Sequence, residues 1–107
     1  MAMTVTTSNV VPGREIADTI GVVRGLVVRT NNLVAGFIGG LKSIFGGNIS
    51  QFEKVCDDAR SMAYDRMVQH AREQGADAIV AMRFDATEFS PGVTEVLAYG
   101  TAVKLAR

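Results

Sequence analysis

The chain of 107 residues lacks several features that mark particular classes of protein. Its single cysteine cannot form a disulfide within the chain, which is typical of a reducing compartment. Its eleven basic and eleven acidic side chains cancel, so no net charge favours nucleic acid or an anionic membrane. No cluster of aromatic and basic residues resembles a base-stacking platform. These shortages exclude an intrachain disulfide framework and weigh against nucleic-acid binding.

The sequence also lacks a recognisable targeting or membrane-spanning segment. The first ten residues, MAMTVTTSNV, have neither the basic stretch nor the apolar core of a secretory signal. The apolar run within Asn32–Phe45 is far shorter than the roughly 20 residues needed to span a bilayer. We therefore predict one domain, residues 1–107, in a cytoplasmic bacterial protein; contact of the run with a membrane surface is left open.

The stretch from Ser50 to Gly75 predicts one long helix around which the rest of the chain is arranged. Ser50 and Glu53 have the spacing of a capping box, and Gly75 is suited to the left-handed conformation that ends a helix. A second apolar flank is formed by Tyr64, Val68 and Ala71. Apolar residues at helical spacing define the predicted core face: Phe52, Val55, Cys56, Ala59, Met62, Ala63 and Met67.

Two segments before the helix predict strands. Ile20–Thr30 is rich in β-branched residues, and its Gly21 and Gly25 indicate a bulge or a close backbone approach. Met3–Thr7 predicts a short edge strand. A turn centred on Pro12-Gly13 separates the two segments.

A β-hairpin is predicted after the helix, from Ala78–Phe89 and Val93–Lys104 around the turn Ser90-Pro91-Gly92. The expected register places Ile79 opposite Val103 and Phe84 opposite Ala98. The face assigned to the helix carries Val80, Met82, Phe84, Val96, Ala98, Gly100 and Ala102. The other face carries Ile79, Ala81, Arg83, Asp85, Glu95, Leu97, Tyr99, Thr101 and Val103.

The segment Asn32–Phe45 predicts a short glycine-rich helix. Its Gly36 and Gly40 are four residues apart, a spacing that lets another backbone come close. The long strand and the long helix both carry apolar residues on more than one side, which a lone subunit cannot bury. The sequence therefore predicts self-association.

Seven short stretches occur in a distinctive order along the chain. They are TT near the N-terminus, IGVVRG at Ile20–Gly25, the Gly46-Gly47 break, FEK at Phe52–Lys54, the AR…A…RM series within Ala59–Met67, GADAIV at Gly75–Val80, and GTAV at Gly100–Val103. From Thr4 to Lys104 this order resembles the YbjQ-like family of small bacterial proteins. The resemblance implies an α+β fold of dodecin-subunit-like type, with an antiparallel or mixed sheet packed on one long helix plus a short Gly-rich helix, assembled as a ring of five. The family has no established activity and carries a heavy-metal-binding label.

Four positions depart from the family's pattern. Arg83 stands where the family usually has an aspartate, two residues before Asp85. Ala35-Gly36 replaces an acidic and basic pair, and Asn48 replaces an arginine. If acidic clusters hold a metal in the family, this chain lacks part of the ligand set.

Metal ligands of two kinds are candidates. Cys56 and His70 suit a soft ion, but fourteen residues of helix hold them roughly 21 Å apart, so only symmetry copies could bring them together. The simpler interpretation makes Cys56 a small buried hydrophobe and His70 a paired or half-exposed residue near the helix end. Asp85 and Glu95 are diagonal neighbours on the hairpin, within reach of a hard cation or of an acid–base arrangement. With Arg83 beside Asp85, a polar network of Arg83, Asp85 and Tyr99 at a subunit contact is favoured.

The sequence predicts a non-enzymatic, ring-forming homo-oligomer that binds a small ligand or a partner. No catalytic residue is assigned, because no motif pairs a nucleophile with a base. The predicted interface residues are Arg83, Leu97, Tyr99, Gly36 and Gly40. The alternative is a heavy-metal-binding protein using Asp85, Glu95, Cys56 and His70; apart from that ion, no cofactor is predicted.

Overall fold

A computed structural model describes residues 3–29, 49–90 and 93–107 and shows an α+β fold. The three longer strands and the long helix are confirmed, with ends within a few residues of those predicted. The predicted short helix, with Gly36 and Gly40, lies outside the described residues, as does the Pro91-Gly92 turn. The elements are β1 (Thr4–Val5), β2 (Ile16–Arg29), α1 (Ile49–Glu73), β3 (Ala78–Ser90) and β4 (Val93–Leu105).

The four strands form one mixed sheet in the order β1-β3-β4-β2. β1 pairs in parallel with β3, whereas β3 with β4 and β4 with β2 are antiparallel. The helix α1 packs chiefly on β2 and β4. We call the face under α1 the inner face and the opposite one the outer face. The mixed sheet packed on one long helix confirms the predicted architecture.

Local hydrogen bonds end α1 where the sequence predicted. Gly75 has φ +77°, its N–H donates to the carbonyl of Arg72 at 3.0 Å, and the N–H of Ala76 donates to the carbonyl of Ala71 at 3.0 Å. This pair of bonds is a Schellman motif. The helix begins at Ile49, while the side chains of Ser50 and Glu53 lie outside the described set. In the described ranges no helix is long and apolar enough to cross a membrane.

The buried side of α1 is rotated from the predicted core face. Ala59, Ala63, Met67 and Ala71, each four residues from the next, are at most 2% exposed. The prediction for Met62 was wrong, because this side chain is 38% exposed. Ala71 had been assigned to the flank. Alanines at this spacing let the helix backbone lie close to the sheet, so they define the contact line.

The helix and the sheet approach each other closely at Gly25. A Cβ added at this position would fall on the carbonyl oxygen of Ala63 and the backbone nitrogen of Met67, and 2.8 Å from the Cβ of Arg66. The close approach predicted for this glycine is confirmed. Gly21, with φ +143°, lies at a register shift between β2 and β4, which confirms the predicted bulge.

The hairpin register is correct at Phe84, which pairs with Ala98, but wrong at Ile79, which pairs with Ala102. The cause is a bulge between Val80 and Arg83, in which Ala81 has φ +54°. The N-terminal segment holds this bulge. Ala81 donates its N–H to the carbonyl of Ser8 at 2.8 Å, and Met82 donates to that of Thr6 at 3.0 Å.

The bulge exchanges the faces of the residues before it. Ile79 belongs to the inner core with Met82, Ala98 and Ala102, whereas it had been predicted on the outer face. Val80, predicted on the inner face, belongs to a second buried cluster with Val11, Ala78, Val103 and Leu105. One extra residue reverses the side on which every preceding side chain lies.

The segment between β1 and β2 contains the predicted turn. The N–H of Arg14 donates to the carbonyl of Val11 at 3.1 Å, and Gly13 has φ +75°. Proline followed by a glycine with positive φ is the signature of a type II turn. Val11 is thereby placed in the second buried cluster.

Candidate functional site

The outer face of β2 exposes apolar side chains. Burial alternates along the strand: Val23, Gly25 and Val27 are buried under α1. Val22, Leu26 and Val28 point the other way and are 72%, 43% and 45% exposed. These three exposed branched residues, with Arg24 between Val22 and Leu26 on the same face, form a largely apolar stripe of the kind that marks an interaction surface.

Cross-strand pairing continues this stripe into a mixed surface. Leu26 pairs with Leu97, which pairs with Asp85; Arg24 pairs with Tyr99, which pairs with Arg83; Val28 pairs with Glu95. Residues directly opposite each other in a sheet lie on the same face. The structure thus brings five sequence-predicted residues together. We name as the outer patch Val22, Arg24, Leu26, Val28, Arg83, Asp85, Glu95, Leu97 and Tyr99.

The two acidic residues of the outer patch have the predicted diagonal relation. Glu95 pairs with Thr87, two residues from Asp85 on the same strand. The Oδ1 atom of Asp85 accepts a hydrogen bond from the N–H of Ala86 at 3.0 Å. One carboxylate oxygen therefore already has a backbone partner, while Glu95 is half-buried.

The guanidinium of Arg83 is directed toward backbone oxygens. Its Nη1 atom donates to the carbonyls of Thr7 at 2.9 Å and Met82 at 2.8 Å. Within the subunit, Arg83 therefore ties the N-terminal segment to the hairpin. The predicted network of Arg83, Asp85 and Tyr99 at a subunit contact involves neighbouring copies and stays a prediction.

The two soft-metal candidates lie in different surroundings. Cys56 is exposed, so the interpretation of this residue as a small buried hydrophobe was wrong. The sequence-based core face placed it inward, but the helix is centred on the alanine line at Ala59 and Ala63. His70 is half-buried, and its Nδ1 atom accepts from the N–H of Arg24 at 3.2 Å. Among the residues that the structure describes, no three histidine, cysteine or acidic residues come together as a metal site.

A further polar contact, which the sequence reasoning did not assign, lies at the edge of the sheet. The Nη1 atom of Arg66 donates to the carbonyl of Leu26 at 2.6 Å. Arg66 and His70 both project from α1 toward β2, which is the outermost strand among the described ranges. The signal was present in the sequence: both residues continue the stripe of the helix that faces the sheet, where a polar side chain needs a partner.

Comparison with known proteins places this chain in a family. Residues 3–106 match a family model described as "Putative heavy-metal-binding". The chain is 54% identical over 104 residues to a UPF0145 protein of Chromobacterium violaceum, which covers 97% of this chain and 89% of the relative. It is 50% identical over 103 residues to a UPF0145 protein of Burkholderia thailandensis, with 96% and 93% covered.

A solved structure shows the same fold. It is a protein of unknown function of the DUF74 family from Pediococcus pentosaceus, with a TM-score of 0.59 and 16% identity. The likeness covers 99% of this chain and 100% of that one, and at this identity it concerns the fold alone. Because the family model spans nearly the whole sequence and relatives share half of its residues, this chain belongs to the YbjQ family.

Proposed function

We propose that this protein is a non-enzymatic homo-oligomer, a ring of five subunits that holds a small ligand or a partner in a central or intersubunit cavity. The observation that carries the proposal is the outer patch. There, exposed valine and leucine side chains lie beside charged groups of both signs.

The shape of the subunit supports self-association. Its radius of gyration is 17.3 Å and its extents are 58 × 24 × 21 Å. A compact domain of this length has a radius of gyration of about 13 Å. An elongated subunit buries little of its own surface, so contacts with further copies add the missing interior.

The charges of the outer patch fit another copy of the same chain. Arg24 and Arg83 lie on the same face as Asp85 and Glu95. Because a patch that meets its own copy closes a dimer, the outer patch of each subunit in a ring meets a different surface of the next subunit. That contact buries the apolar stripe, and the charges of the patch can pair there with groups of opposite sign. Full burial of one valine or leucine contributes about 1.5–3 kcal/mol, which offsets part of the entropy lost on association.

Native mass spectrometry and sedimentation at micromolar concentration test the assembly. We expect a pentamer for the natural sequence and a shift toward monomer for Leu26→Glu, because a carboxylate would then be buried in the interface. Val10→Glu is the matched control: Val10 is 58% exposed and lies outside the outer patch. A folded monomer of the natural chain, or a Leu26→Glu variant with unchanged assembly, would contradict the proposal.

The second candidate is a heavy-metal-binding protein, which the description of the family model favours. Asp85 and Glu95 would serve a hard ion, and Cys56 or His70 gathered from symmetry-related copies would serve a soft one. Calorimetric titration with Zn²⁺, Cu⁺ and Ca²⁺ tests it, with Cys56→Ala and Asp85→Ala to assign the ligands. Absence of heat and of any shift in melting temperature would remove this candidate.

A further inference from the structure

We propose that three side chains, Arg66, His70 and Asp85, cover backbone groups at the strand edges, so that copies of this chain associate through the outer patch and not by strand addition. We call these three residues the edge side chains. The choice of the outer patch rests on the proposed function, whereas the covering of the edges does not.

The first edge is β2, the outermost strand of the sheet that the described residues form. Along an antiparallel strand, backbone groups point alternately toward the neighbouring strand and away from it. The backbone groups of Arg24 and Leu26 point away from β4, since the N–H of Arg24 and the carbonyl of Leu26 each form a hydrogen bond with a side chain of α1. The Nδ1 atom of His70 accepts a hydrogen bond from the N–H of Arg24 at 3.2 Å, and the Nη1 atom of Arg66 donates one to the carbonyl oxygen of Leu26 at 2.6 Å. One donor and one acceptor of this edge are therefore already occupied.

The second edge is the far half of β3. The N-terminal segment pairs with β3 as far as Met82, whose N–H donates to Thr6. By the same alternation Phe84, Ala86 and Glu88 direct their backbone groups to that side, beyond the described N-terminal segment. The N–H of Ala86 is bonded by Asp85 Oδ1 at 3.0 Å. Asp85, a candidate metal ligand, therefore has a structural role at the strand edge that does not depend on a metal.

These contacts have a clear physical consequence. Unpaired backbone groups on an edge strand are a template for another strand, and charged side chains at edges prevent such pairing. A strand approaching β2 would have to displace Arg66 and His70 and leave the Arg66 guanidinium without its partner. The apolar stripe of the outer patch presents no such barrier, so a second copy is directed to the face.

The experiment compares variants of the two edges by native mass spectrometry and by thioflavin T fluorescence during incubation. In Arg66→Ala/His70→Ala we expect the same discrete assembly as in the natural chain, together with several-fold faster growth of β-rich aggregate. Gln69→Ala is the matched control, because Gln69 is exposed on the same helix between the two residues. It should leave the rate of aggregation unchanged.

A second pair of variants, at Asp85, tests whether faster aggregation could come from lower stability alone. Asp85 is exposed, so Asp85→Ala should fold with nearly unchanged stability and still aggregate several-fold faster. Asp85→Asn keeps an oxygen that can accept from Ala86 and should restore slow aggregation. Restoration by asparagine is expected only if the hydrogen bond at the edge matters.

The outcomes separate the two halves of the proposal. Loss of the discrete assembly in Arg66→Ala/His70→Ala would show that the β2 edge is the interface and would overturn the proposal. Unchanged aggregation in folded edge variants, or equally fast aggregation of Asp85→Ala and Asp85→Asn, would also overturn it. A monomeric natural chain would defeat the assembly alone, while the comparison of aggregation rates would still decide the role of the edge side chains.

Discussion

The base and the tip of the hairpin differ sharply although they belong to the same two strands. We define the base as β3 before the bulge with the β4 residues that pair with it, and the tip as the part of the hairpin from Arg83 onward. At the base, Ala78, Ile79 and Val80 are at most 5% exposed. At the tip, every residue from Arg83 to Glu88 is exposed.

The difference comes from what covers each region. The base lies between α1 on the inner face and the cluster around Val11 and Ile16 on the outer face. At the tip, Phe84 pairs with the fully buried Ala98 yet is 38% exposed, with the guanidinium of Arg60 5.4 Å from its ring centre. Alternation along a strand therefore decides which face of the sheet a side chain lies on. Whether that side chain is buried depends on whether another element covers the face at that point. The tip is the part of the hairpin that another copy is expected to cover.

The largest expected effect comes from moving α1 off the sheet, because the base of the hairpin would then lose its cover on the inner face and resemble the tip. Gly25→Ala would place a methyl group on the backbone of Ala63 and Met67, and backbone atoms cannot move aside as a flexible side chain can. We expect a loss of more than about 4 kcal/mol in the free energy of unfolding, or failure to fold. Equilibrium urea unfolding at fixed subunit concentration measures the loss.

The control for this substitution is Gly13→Ala. Nothing lies within 4 Å of a Cβ at Gly13, but its φ of +75° disfavours alanine. The expected loss is only about 1 kcal/mol, because it reflects backbone strain alone. Equal losses at the two glycines would show that the helix does not press on Gly25.

Two methionines of α1 compare the covered and uncovered regions directly. Met67 is fully buried, so Met67→Ala should leave a cavity and cost about 3 kcal/mol. Met62 lies one and a half turns earlier and is 38% exposed, with its sulfur 3.0 Å from Arg29 Nη2. Met62→Ala should cost less than about 1 kcal/mol in the free subunit. Thermal and urea unfolding give both values, and a cost at Met62 as large as that at Met67 would mean that this side chain is buried in solution.

A substitution at the junction between base and tip is expected to have the smallest effect on the free energy of unfolding, and to raise it. Ala81 has φ +54°, a conformation that is costly for alanine and free for glycine. Ala81→Gly should therefore stabilise the fold by up to about 1 kcal/mol. Ala86→Gly, in the regular part of the same strand, should destabilise it by roughly 0.5–1 kcal/mol. If glycine at Ala81 also destabilises in urea unfolding, the bulge relaxes in solution.

The features that sequence reasoning predicted correctly depend on neighbours in the chain or on the size of one side chain. Gly75 ends the helix and Pro12-Gly13 forms the turn, because both depend on local backbone conformation. Gly21 and Gly25 were predicted as places for a bulge or a close backbone approach, because they lack a Cβ where the strand is otherwise branched. For the candidate site, pattern alone predicted that Asp85, Glu95, Leu97 and Tyr99 share one face, since the register near Phe84 was correct.

Other features required contacts between distant segments. Composition and spacing gave no sign that Arg83 bonds the carbonyl of Thr7. The helical stripe indicated that His70 needs a polar partner, but not that this partner is the backbone of β2. A helical projection can rotate by tens of degrees without changing its list of apolar residues. It therefore placed Cys56 and Met62 inward when the alanine line was the true contact.

By itself the sequence determined the long helix, the three longer strands and the alternation of the hairpin beyond the bulge, because these follow from propensity and local hydrogen bonding. The tertiary structure alone decided that Ile79 faces the helix and Val80 faces away. The physical reason is the bulge at Ala81, which is held by carbonyl groups of Thr6 and Ser8 from the other end of the chain. Those bonds exist only once the N-terminal segment lies beside β3, so no pattern within the hairpin could reveal them.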